Sequence, residues 1–209
     1  MKYPTFIFLI FFGIVNAVSV AQNDKDNVDE LVSEFINSLE SRAIGEYFSL
    51  KKYCLGTTEI FKLKDGSMCV SKGTYYQVFV FWKEEDQAMI KKIDNCGMYF
   101  SLPLSNTEVM DFLDINRKQL KEGVVKKYEV ENPENVPAKS SKIHSCFREF
   151  QFNNENNSFG QSYNLYDLTN ESKYKNINFE SNNKLKIVAL EKMLESLILQ
   201  MESKFRRQF

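Results

Sequence analysis

The sequence predicts an α+β fold: an antiparallel sheet packed by an N-terminal helix, a middle helix and a long C-terminal helix. Three observations carry this. Val28, Leu31, Val32, Phe35, Ile36 and Leu39 recur at three- and four-residue spacing, and so do Ile187, Leu190, Leu194, Leu197, Ile198, Met201 and Phe205. Between them, Tyr47 to Leu104 consists of short β-prone runs broken by turn residues. No internal repeat, low-complexity linker or composition break interrupts the chain, so residues 22–209 read as a single domain.

Residues 1–21 stand apart. Lys2 is followed by an apolar run from Phe6 to Val15, small-residue exits at Ala17 and Ala21, and then an acidic, polar composition. That order is the pattern of a secretory signal peptide, with cleavage expected after Ala21. The run is shorter than the ~20 residues that span a bilayer, so no membrane span is expected after cleavage. The protein is therefore expected to be secreted or periplasmic.

Export bears on the four cysteines, Cys54, Cys69, Cys96 and Cys146. An even number in an oxidising compartment favours disulfides, and two bridges are the expectation. Four cysteines allow three connectivities, and their spacing selects none of them. The spacing matches no zinc pattern, and the single histidine rules out a multi-histidine metal site. There is no run of alternating aspartates of the calcium-loop type. No metal and no cofactor are expected. With 27 basic and 28 acidic residues the formal charge is −1, which gives no electrostatic footprint for nucleic acid. The sequence leaves the oligomeric state open.

The elements follow in order. Asn27 and Glu30 fit a capping box at the start of the first helix, and Gly45 is a plausible stop. "EIFKLKDGSMCVS" places Asp65-Gly66 between two short arms, a hairpin signal. In "GTYYQVFVFWK", Tyr75, Gln77, Phe79 and Phe81 share one face and Tyr76, Val78, Val80 and Trp82 the other. Both faces are apolar, so this strand should be central and covered on both sides. The element order nevertheless suits a sheet with its helices on one face. Glu84 to Asp86 make a solvated turn, and "AMIKKIDNCGMYFSLPL" gives a strand, a break at Asn95 to Gly97 and a short arm ending at Pro103. Asp94 and Asn95 should close a local side-chain turn.

Ser105 and Glu108 form a second capping box, opening a helix that ends near Gly123. "VVKKYEV" reads as a strand and "ENPENVPAKSS" as a polar loop. "KIHSCFREFQF" and "FGQSYNLYDL" read as a hairpin across Asn153 to Ser158. The asparagine-rich stretch from Tyr174 to Asn183 is irregular, and "KFRRQF" is a frayed end.

The chemically suggestive pattern is "IHSC". His144 and Cys146 would share one face of a strand, with roughly 7 Å between their Cα atoms at ~3.3 Å rise per residue. A thiolate needs such a base or cation beside it. No glycine-rich turn or helix start beside Cys146 supplies an oxyanion site, and a disulfide role is the simpler reading. Serine-hydrolase, phosphate-loop, zincin and CxxC motifs are absent. Tyr75 and Trp82 on the aromatic strand, together with His144, form the candidate surface for a ligand or partner. The expected function is a non-enzymatic binding module for a small apolar ligand or a protein partner. The alternatives are a structural, envelope-associated protein without ligand, and a thiol-dependent hydrolase using Cys146 and His144. A small-ligand binder should show a pocket between the aromatic sheet and the helices.

Overall fold

The computed structural model describes residues 24–130, 145–154, 157–171 and 174–208. The expected signal peptide, the polar loop after Val130 and His144 lie outside these residues. The first helix, α1, runs Lys25–Ser41. Asp24 caps it, accepting hydrogen bonds from the Asp26 and Asn27 amides at 3.1 and 3.3 Å. The helix therefore starts before the expected Asn27 box, because Asp24 satisfies the first free amides from an extended backbone. It ends at Ser41, ahead of Gly45, and Ala43 at φ 59° makes the left-handed reversal.

Seven short strands follow: β1 Tyr47–Cys54, β2 Ile60–Lys62, β3 Met68–Val70, β4 Tyr76–Glu84, β5 Gln87–Asp94, β6 Gly97–Met98 and β7 Leu102–Pro103. Then come α2 Glu108–Glu122, β8 Cys146–Asn154, β9 Asn157–Asn164, α3 Phe179–Asn183 and α4 Lys186–Met201, with 3-10 turns at Leu165–Leu168 and Glu202–Lys204. The main sheet is antiparallel and seven-stranded, in the order β6-β5-β4-β1-β8-β9, with β7 also on β5. The strands β2 and β3 form a separate two-stranded ribbon. The β4–β5 connection has Glu85 and Asp86 at φ 47° and 64°, the two positive angles that match a tight hairpin to strand twist.

The helices cover both faces of the sheet. On one face, Val78, Val80, Trp82 and Ile93 pack beneath Val28, Phe35 and Leu39 of α1. On the other, Phe48, Leu50, Phe79, Phe81, Phe150 and Phe152 pack beneath Leu113 and Leu120 of α2 and Leu190, Leu194 and Ile198 of α4. The expectation of helices on a single face is corrected, while the two-sided burial of β4 stands. The physical reason is in β4 itself: neither of its faces could be left in water at tolerable cost. Register then builds an aromatic ladder, with Phe48 stacked 4.8 Å from Phe81 and 5.7 Å from Phe152.

The start of α2 also differs from expectation. Thr107, not Ser105, is its N-cap, and the Glu108 amide donates to Asn106 Oδ1 at 3.3 Å. "VVKKYEV" is not a strand, apart from a single bridge between Val130 and Asn176. Side chains take the place of a neighbouring strand. Asn182 accepts from the Lys126 amide and donates to the Lys126 carbonyl. Asn178 donates to the Lys127 carbonyl, while Asp167 and Asn176 accept from the Tyr128 and Glu129 amides. A primary amide carries both a donor and an acceptor, so buried asparagines can satisfy an extended backbone as a strand would.

Candidate functional site

At the β5–β6 end of the sheet the chain turns sharply through Asn95 and Cys96, with Gly97 at φ 119°. Asp94 closes this turn as expected, its Oδ1 accepting from the Cys96 amide at 2.8 Å. The same carboxylate is fully buried and does more. Tyr75 and Tyr99 each donate a hydroxyl hydrogen bond to Oδ2 at 2.9 Å. Arg207 forks onto it, with guanidinium nitrogens 2.6 and 2.9 Å from the two oxygens. This two-pronged geometry is the strong form of the arginine–carboxylate contact. The "KFRRQF" end is therefore not frayed as far as Gln208: Phe205 is buried, and residues 206–208 lie along residues 98–100.

The β2–β3 ribbon walls this site. Its inward residues are Phe61, 5.3 Å from the Tyr75 ring, and Cys69, which is bonded to Cys96. Cys69–Cys96 thus fastens the hairpin to the residue that follows Asn95 in the Asp94 turn. Three of the four outward residues are apolar, Ile60 at 61 % exposed, Met68 at 55 % and Val70 at 38 %; the fourth, Lys62, is exposed opposite Met68. The second bridge, Cys54–Cys146, joins directly opposed positions of β1 and β8 with 3.9 Å between Cα atoms. Both expected disulfides are present, and their pairing is now assigned.

Of the predicted surface residues among those described, Tyr75 belongs to this site and Trp82 does not. Trp82 is 1 % exposed beneath α1, edge-on to Phe35 at 5.2 Å, with its indole N–H donating to Glu84 at 3.2 Å. It is a core residue on the face of β4 opposite Tyr75. His144 lies outside the described residues. Cys146 is bonded to Cys54 and carries no thiol, so the "IHSC" pattern holds no nucleophile in this state. Arg207, Asp94 and the outward hairpin face escaped the sequence reading as a site. "DGSM" between β-prone arms located the hairpin, but nothing in the sequence tied it to the chain 113 residues beyond Asp94.

The chain matches no protein-family model, no curated protein and no solved structure.

A second, partly buried charge cluster lies between β1, β8 and α4. Arg148 donates to Glu191 at 3.0 Å and to Glu195 at 3.2 Å, and Lys52 donates to Glu195 at 2.6 Å. Lys52 and Arg148 are register partners, which is why α4 presents two glutamates to this spot. Tyr163 sits beside Arg148 in register, and its buried hydroxyl has no hydrogen-bond partner among the described residues.

Burial pushes the Tyr75, Tyr99 and Tyr163 phenols up, and nearby carboxylates, Asp94 for the first two and Glu191 for the third, push the same way. The consequence is alkaline sensitivity. An unfolded tyrosine releases its proton near pH ~10, whereas these three stay protonated while folded. The unfolded state then binds fewer protons, so stability is intact below that pH and falls as pH rises through it. Phenolate absorbance from these residues should appear only together with loss of circular dichroism. Reversible ionisation of all three with the native spectrum retained would contradict this.

Proposed function

We propose that the protein is an exported, non-enzymatic binding module that engages a protein partner through the outward face of the β2–β3 hairpin. One observation carries the reading: Ile60, Met68 and Val70 are exposed together, with Lys62 beside them, on a ribbon tied to the body by Cys69–Cys96. Apolar side chains clustered in water mark contact sites more often than chance surface. A hairpin already fixed by a covalent bridge loses little freedom when a partner covers it. Both aromatic faces of the main sheet are filled by helices, which supports a protein partner over a small apolar ligand. Residues 1–21 read as a cleaved signal, and two disulfides are compatible with an oxidising compartment. Among the described residues no helix is long and apolar enough to cross a membrane.

The test uses the double variant Ile60→Lys/Val70→Lys. Its unfolding free energy should stay within about 0.5 kcal/mol of the parent, since both side chains already face water. A photo-crosslinking residue at position 68 should capture one discrete partner in the native compartment. The double variant should reduce that capture at least ~10-fold, as loss of an anchoring apolar contact does. Undiminished capture would overturn the assignment of the hairpin face.

A further inference from the structure

The contact between residues 205–208 and the sheet has the form of peptide recognition. The Phe100 amide donates to the Arg206 carbonyl at 2.9 Å, and the Gln208 amide donates to the Met98 carbonyl at 2.8 Å. These bonds make one antiparallel bridge, Tyr99 opposite Arg207, next to the sheet edge, a short form of the pairing by which sheet edges capture extended peptides. Two side chains supply specificity. Phe205 enters an aromatic place, its ring 6.0 Å from Phe79 and 6.2 Å from Tyr99, with Lys92 Nζ 5.5 Å from its centroid. Two residues on, Arg207 forks onto Asp94, with its guanidinium carbon 4.4 Å from the Tyr99 ring centroid and 5.4 Å from that of Phe61.

Part of the receiving side is held by residues outside the segment that fills it. The Asp94 carboxylate is held by the Tyr75 and Tyr99 hydroxyls and the Cys96 amide, and Cys96 is itself fixed by its bridge to Cys69. Withdrawal of Arg207 leaves these three donors in place. The arginine pocket is therefore preorganised by the body of the protein.

We propose that this groove is a recognition site for an extended peptide of a partner protein carrying phenylalanine two residues before arginine, and that residues 205–208 occupy it as an internal competitor. The site lies behind the hairpin face described above and stands independently of it. An attached segment competes at an effective concentration in the millimolar range, so a partner peptide binds weakly until the segment is displaced.

The experiment uses the full chain and a fluorescent peptide spanning residues 202–208, Glu-Ser-Lys-Phe-Arg-Arg-Gln. In the Arg207→Ala chain the internal clamp is lost, and the peptide should bind with saturable anisotropy, at least ~10-fold more tightly than to the unaltered chain. The same peptide with glutamine in place of its second arginine should not bind. If Arg207→Ala does not fold alone, adding the peptide during refolding should restore the native circular dichroism spectrum, and the glutamine peptide should not. Absence of both binding and recovery would overturn the proposal. So would equal binding to the two chains, or equal binding of the two peptides. A stable dimer of the unaltered chain that Arg207→Ala dissociates would also overturn it, by giving the groove to the same segment of a second copy.

Discussion

Asp94→Ala is expected to lower the unfolding free energy by about 3–5 kcal/mol, as much as truncating a buried aromatic of the core. The carboxylate is fully buried, and its removal leaves the Arg207 guanidinium without a counter-charge in a site that admits little water. The Tyr75 and Tyr99 hydroxyls lose their acceptor at the same time. Arg207→Ala is expected to be milder, because Asp94 keeps three other donors. In the double variant the stranded charge is gone, so its cost should fall well below the sum of the two single changes. Urea unfolding of the four chains measures this directly. A loss under ~1 kcal/mol for Asp94→Ala would place the pair in the class of solvated surface bridges and contradict its structural role.

The disulfides carry the second large effect, and the two bridges should behave differently. Loop-entropy arguments give about 4.6 kcal/mol for a bridge closing 92 residues and about 3.5 kcal/mol for one closing 27. Cys54→Ala/Cys146→Ala should therefore lower global stability more, since it unties two neighbouring strands at the centre of the main sheet. Cys69→Ala/Cys96→Ala should leave the sheet closer to intact while releasing the β2–β3 ribbon. Limited proteolysis separates the cases: the second variant should be cut within residues 57–74 under conditions where the first, while folded, is not. The reverse pattern would contradict the assigned roles.

These effects also mark how far the sequence could be read. Periodicity located α1 and α4 because each buries one continuous stripe, and alternation located β4 because its two faces are both apolar. Asp65-Gly66 and Glu84–Asp86 were legible because turns are local. What escaped was non-local. The element order did not reveal that α1 covers the face opposite α4. "VVKKYEV" looked like a strand from its own residues, and its true partners are the amides of Asn176, Asn178 and Asn182 some fifty residues later. Abundant asparagine therefore has a structural use that composition did not show. Trp82 reads as a candidate contact residue because it ends an aromatic run, yet the α1 residue Phe35 closes over it. Arg207 looked like part of a frayed basic end because the acid it serves lies 113 residues away.

The account rests on a bridged Cys146, which carries no thiol for the hydrolase alternative. The measurement that tests it most directly is mass spectrometry of the native protein, alkylated before and after reduction and mapped without reducing agent. The account predicts no alkylation before reduction, bridged peptides joining Cys54 to Cys146 and Cys69 to Cys96, and a first residue at Gln22. A Cys146 that alkylates rapidly at neutral pH in the folded protein would contradict it and return "IHSC" to the centre of the functional question.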